Sequence, residues 1–116
     1  MIHAFLTLEG EVDPSRLNQA IMSAQMAHPV MRTVLRGKYL RITREIQEDL
    51  GNGVLTVLNL AGLQDADYER RLFEWVNQPL DLRKEFPLRV LLWRKNETQS
   101  TLVFTFHHSA ADGLRA

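Results

Sequence analysis

The stretch of this sequence best equipped for proton chemistry is His107-His108-Ser109-Ala110-Ala111-Asp112-Gly113. An imidazole titrates close to neutral pH, so it can take a proton from an alcohol or an amine and make either a usable nucleophile. Asp112-Gly113 supplies a turn directly behind the histidines, and a strand end running into a turn is a common place for catalytic side chains to be displayed. Other chemistry is open to the same residues. A histidine at a strand end can be a surface or core residue with a satisfied hydrogen bond. Imidazole with a nearby carboxylate can also hold a metal, although the only other histidines are His28 and His3.

The element that must carry this segment is the apolar run Thr101-Leu102-Val103-Phe104-Thr105-Phe106, read as a strand. Its alternation sets Leu102, Phe104 and Phe106 on one side and Val103, Thr105 and His107 on the other. If the extended path continues through His108, the two histidines point in opposite directions, one structural and one able to face a cleft.

Further back, Ile2 to Glu9 reads as a strand closed by Gly10. Asp13-Pro14 caps and opens a helix with a stripe of Leu17, Ala20, Ile21, Ala24 and Ala27, stopped by His28-Pro29. Val30 to Leu35 and Tyr39 to Thr43 around Gly37-Lys38 predict a hairpin, Gly51-Asn52-Gly53 a turn, and Val54 to Leu60 a buried strand. A second helix is expected from Asp65 or Asp67, burying Tyr68, Leu72, Phe73 and Val76 and ending before Pro79. Leu88 to Trp93 is the strand before the last one, and the polar loop Lys95 to Ser100 joins the two. The expected fold class is α+β, a two-layer sandwich of a mixed, largely antiparallel sheet with both helices on one face.

Composition narrows the setting. The 116 residues suffice for one domain, with 45% hydrophobic and 24% charged residues and a formal net charge of zero. No global field or basic, aromatic-laced cluster favours nucleic acid or an anionic membrane. The absence of cysteine removes disulfides, thiolate nucleophiles and cysteine-held metals. The first residues lack the make-up of a signal peptide, and no segment has the length of a membrane-spanning helix; a soluble cytoplasmic protein is the expectation.

His-His-x-x-x-Asp-Gly resembles the active-site motif of the chloramphenicol-acetyltransferase-like superfamily, which includes the condensation domains of nonribosomal peptide synthetases. Upstream order strengthens the likeness. Phe5 to Gly10 and Leu17 to Ala20 look like that family's first strand and helix, and Ala27-His28-Pro29-Val30-Met31-Arg32-Thr33 is similar to its Leu-Arg-Thr segment. Gln78-Pro79-Leu80-Asp81-Leu82, then Phe86-Pro87-Leu88-Arg89-Val90, looks like its proline-bounded approach to the penultimate strand. Two features depart from the peptide-forming subfamily: no Ser-x-Ala-Gln type segment precedes the first strand, and Leu114-Arg115-Ala116 stands where many members have an aromatic residue and a serine.

The resemblance implies an acyltransferase. An acyl group would pass from a thioester, on coenzyme A or on a carrier protein's phosphopantetheine arm, to an amine or hydroxyl acceptor, with no tightly bound cofactor and no metal. It implies that His108 is the general base and His107 structural, that Asp112 organises the loop through an ion pair with Arg32, and that Gly113 forms the turn. It further implies that residues 1–116 are the N-terminal lobe of a two-lobed domain, a fragment inactive without its C-terminal lobe. O-acyl transfer to an alcohol, and a non-catalytic lobe that docks carrier proteins, remain as other readings. Among further candidates, Trp75 and Trp93 could line a channel, although Trp75 in a helical stripe reads as core. Arg32 could be a solvated strand residue, Glu69-Arg70-Arg71 a solvated face, and Met22 and Met26 packing residues.

Overall fold

The structure is a computed structural model that describes residues 2–38, 41–59, 65–82 and 84–107, without the side chains of residues 38, 41, 42, 65 and 68. Its elements in chain order are β1 (Ile2–Glu9), α1 (Pro14–Ala27), a 3-10 turn (Pro29–Arg32), β2 (Thr33–Lys38), β3 (Arg41–Ile46), β4 (Leu55–Asn59), α2 (Asp65–Val76), β5 (Leu88–Arg94) and β6 (Gln99–Phe106). Four strands form one sheet in the order β1-β6-β5-β4, and β2 and β3 form a separate hairpin. Among the described residues only β4 and β5 run parallel, with α2 in the connection between them; β1 with β6, β5 with β6 and β2 with β3 are antiparallel.

The centre of the sheet is legible in the composition of β5. Val90, Leu91, Leu92 and Trp93 are consecutive and all fully buried. Successive strand residues point to opposite faces, so such a run requires cover on both sides. On one side Val90 and Leu92 pack with Leu88, Leu102, Met31 and Ile21 of α1. On the other, Leu91, Trp93 and Val103 pack against Leu72, Trp75 and Val76 of α2. The α+β class with a mixed, largely antiparallel sheet is therefore as expected, but the layering is not. The helices lie on opposite faces, because the chain crosses from β4 to the parallel β5 over the face that α1 leaves bare.

Helix α1 starts as its sequence dictates. The Asp13 carboxylate accepts from the Ser15 N–H at 3.0 Å, and Pro14 takes the first helical position, where no N–H is needed. Its stripe is different from the one the alanines suggest. Ala20, Ala24 and Ala27 are exposed, whereas Leu17 is half-buried and Ile21 and Gln25 are buried. Alanine contributes little area, so the larger side chains decide which face turns inward.

In α2, Leu72, Trp75 and Val76 face the sheet and Phe73 is 69% exposed, contrary to expectation. One helical step, about 100°, separates Phe73 from Leu72. The Tyr68 side chain lies outside the described residues.

The turn at Gly51-Asn52-Gly53 docks on α1. Asn18 donates from its side-chain nitrogen to the Asn52 carbonyl at 3.0 Å. Gly53 has φ +86, and a Cβ there would come within 2.5 Å of the Asn18 side-chain oxygen. Glycine is therefore required by conformation, and a larger residue would also push the Asn18 side chain away from Asn52.

The hairpin begins later than predicted, because Val30 and Arg32 belong to the 3-10 turn. Gly37 and Lys38 lie within β2, paired with Ile42 and Arg41, and residues 39 and 40 lie outside the described residues.

Candidate functional site

His107 is the first residue beyond β6. Its backbone N–H donates to the Pro87 carbonyl at 2.9 Å, which carries the β5–β6 pairing one step past Leu88 and Phe106. His107 is half-buried and lines a cleft of about 430 Å3 together with Pro29, Val30, Leu35, Ile46, Leu82 and Pro87. The opening is mainly apolar, and Arg44 adds a positive charge to its wall.

Three elements build that wall. Pairing of Thr33 with Ile46 and of Leu35 with Arg44 sets these residues on one face of the hairpin, turned to the cleft. Val34 and Arg36, on the opposite face, line a separate cavity of about 300 Å3. The Leu35 N–H donates to the Leu82 carbonyl at 2.8 Å, which ties the hairpin to the segment before β5.

Arg32 sits at the end of the 3-10 turn. His28 is extended (φ -123, ψ 90), as a residue before proline should be, and the Met31 N–H donates back to the His28 carbonyl at 2.9 Å. The Arg32 guanidinium donates from Nε to the Gln25 carbonyl at 3.2 Å and from Nη1 to the Gln47 carbonyl at 3.0 Å. The Gln47 N–H returns a bond of 2.9 Å to the Arg32 carbonyl. Arg32 is thus half-buried and bonded to two carbonyls, which rules out a solvated strand arginine. It makes no ion pair among the described residues. His108, Asp112 and Gly113 lie outside the described residues, and with them the expected base and the expected partner of Arg32.

The remaining candidates are placed. Trp93 is fully buried and Trp75 packs on the same cluster, so both belong to the core under α2. Glu69, Arg70 and Arg71 are exposed, with Arg70 bonded to Asp67 at 3.2 Å. Met22 is half-buried, but Met26 is 48% exposed and does not serve packing. Among the described residues, no three His, Asp or Glu side chains gather where they could hold a metal, and no helix is long and apolar enough to cross a membrane.

Two polar groupings escape a reading of the sequence. Gln25 is fully buried in the last turn of α1; the only signal was its position four residues after Ile21. On the α2 side, His3 Nδ1 lies 3.0 Å from the hydroxyl of buried Thr105. Burial, followed by neighbouring positive charge including that of Arg89, pulls the His3 pKa below its ordinary value. Arg89 itself donates to the Gln78 and Pro79 carbonyls at 3.0 and 3.1 Å, meets Glu85 at 3.4 Å, and stacks over Trp75 at 5.5 Å.

Known proteins share this arrangement. The Condensation domain family profile matches residues 1–114. A linear gramicidin synthase protein of Brevibacillus parabrevis is 30% identical over 116 residues, covering 97% of this chain and 2% of that protein. A plipastatin synthase protein of Bacillus subtilis is 24% identical over 114 residues, covering 95% of this chain and 3% of that one. Among solved structures, the X-domain from teicoplanin biosynthesis superimposes with a TM-score of 0.80 at 26% identity, over 93% of this chain and 23% of its own. SgcC5 from Streptomyces globisporus gives 0.73 at 27% identity, over 92% and 25%. The chain thus spans a few hundredths of the curated synthetases and about a quarter of the solved relatives. Matched almost from end to end, it belongs to the condensation-domain family.

Proposed function

We propose that the protein carrying this chain transfers an acyl group from a carrier-protein thioester to an amine, as a condensation domain of nonribosomal peptide synthesis. The observation that carries this reading is the family match over residues 1–114, which takes in His107-His108 and Asp112-Gly113 in the spacing described above. His108 is the general base. It removes a proton from the acceptor as the acceptor attacks the thioester carbonyl; the carbon–sulfur bond then breaks, and the sulfur leaves and takes up a proton. The thioester is already activated, so a positioned imidazole is sufficient chemistry. His107, held at its backbone by Pro87, is structural, and Asp112 pairs with Arg32 to hold the loop closed at Gly113. A coenzyme A donor and a hydroxyl acceptor fit the same chemistry.

Replacing His108 with Ala in the complete protein should lower turnover by about 10²–10⁴-fold without loss of folding. Near-normal turnover in a folded His108→Ala protein would end the assignment.

The chain corresponds to an N-terminal lobe, and a C-terminal lobe completes the site. What supports this is that the chain covers about a quarter of the solved relatives, less than one of two similar lobes would fill. Holding donor and acceptor in reacting geometry contributes up to about 7–11 kcal/mol, and one lobe alone cannot supply it. Residues 1–116 by themselves should therefore show no thioester turnover above the buffer rate, and steady turnover by the isolated chain would refute the lobe assignment.

A second reading has one observation in its favour. The teicoplanin X-domain has been solved in complex with OxyB, at a TM-score of 0.80 to this chain. A lobe of this fold that docks a partner protein without catalysing would keep its stability and lack any rate effect of His108→Ala.

A further inference from the structure

Gln25 is fully buried, and its side chain is only half satisfied. The Nε2 group donates to the Met31 carbonyl at 3.2 Å, while Oε1 is buried without a hydrogen-bond partner among the described residues. A buried acceptor left unpaired is unfavourable, and an apolar side chain of the same shape would avoid the penalty. The amide does make one bond that an apolar side chain could not, and that bond lands on the 3-10 turn one residue before Arg32. The backbone carbonyl of the same Gln25 receives Arg32 Nε at 3.2 Å. Gln25 therefore grips the turn at both Met31 and Arg32, from the last turn of a helix whose Ile21 is locked in the core.

We propose that Gln25 is a positioning residue for the Arg32 guanidinium. Its amide fixes the path of the turn, its carbonyl fixes Nε, and Gln47 fixes Nη1 from the far side, so the remaining guanidinium donors point in one set direction. The functional importance of that direction rests on the reading of Arg32 as the partner of the motif carboxylate; the positioning itself does not.

The test uses the complete protein labelled with 15N at arginine and glutamine. In the unaltered protein the Gln25 Nε2 protons and the Arg32 Nε proton should exchange with solvent slowly. In Gln25→Met, which keeps length and volume without the donor, the melting temperature should change little, because removing the unpaired oxygen offsets the stranded Met31 carbonyl. The Arg32 Nε proton should nevertheless shift and exchange at least tenfold faster. Turnover should fall by about 10- to 10²-fold at unchanged donor KM, as expected for a displaced group, and Arg32→Ala should add little to Gln25→Met.

An unchanged Arg32 signal in Gln25→Met would overturn the proposal, as would fast exchange of the Gln25 amide in the unaltered protein, which needs no variant to fold. A displaced Arg32 signal with unaltered turnover would keep the positioning role and remove instead the part given to Arg32 in acyl transfer.

Discussion

The two faces of the sheet are held down by different means. Under α1 the core is broad and apolar: Ile21, Met31, Leu88, Val90, Leu92 and Leu102 are buried together, with partly buried residues around them. Under α2, among the described residues, only Leu91, Trp93 and Val103 are buried in the cluster, and the face continues into Arg89, Thr105 and His3. The first face gains stability from area, which is insensitive to pH and direction. The second depends on hydrogen bonds with fixed geometry, where removing one partner strands the other. A region built on area tolerates reshaping, and a region built on donors does not.

The sharpest way to break this contrast is to truncate neighbouring side chains that point to opposite faces. Leu92 and Leu91 are both fully buried. Leu92→Ala and Leu91→Ala should each cost about 2–5 kcal/mol, with Leu92 toward the upper end because more surrounding side chains lose contact. Denaturant unfolding of both variants measures this, and a Leu91→Ala cost near zero would mean that α2 does not truly cover its face.

Arg89 comes next. Arg89→Met keeps the length of the side chain and removes every donor to the loop after α2; water can take over the exposed Gln78 and Pro79 carbonyls, so a cost of about 1–2 kcal/mol is expected from the lost bonds to a charged group. Its ion-pair partner Glu85 is 44% exposed, so Glu85→Gln should cost under about 1 kcal/mol. Equal losses in the two variants would locate the strength of this clamp in the ion pair and not in the carbonyl bonds.

The smallest effect is one of pH. The folded-state pKa of His3 lies below the ordinary histidine value of 6.5, so the unfolded chain binds its proton more readily. The His3 contribution should be complete above pH 6.5 and decline as the pH falls from there through the lower folded-state value. Melting temperatures measured from about pH 7.5 to about pH 5 should fall less steeply in His3→Gln than in the unaltered protein, and parallel curves would exclude His3 as a source of the slope.

Much of this was legible in the sequence. The Asp13-Pro14 start, the stop at His28-Pro29 and the two final strands follow from local rules that tertiary contacts do not override. The placement of α2 was also written there: four consecutive apolar residues from Val90 to Trp93 fit only a strand covered on both faces. An expectation of one helical layer overlooks that run. Gln25 could not be found by hydrophobic pattern, since the pattern excludes a polar residue from the stripe it completes. His3 and Thr105 are 102 residues apart in sequence and meet only through the pairing of β1 with β6. The motif was legible as chemistry, although its positions from His108 onward lie outside the described residues.

The interior position of β6, flanked by β1 and β5, has a consequence for how the molecule opens. Amides on a strand paired along both edges exchange only when neighbouring strands separate, and in core elements that opening approaches complete unfolding. The His107 amide, bonded to Pro87, adds one more rung to that ladder. Local fraying at the ends of α1 therefore leaves His107 where it was, and the segment that follows β6 departs from one of the two interior strands of the sheet.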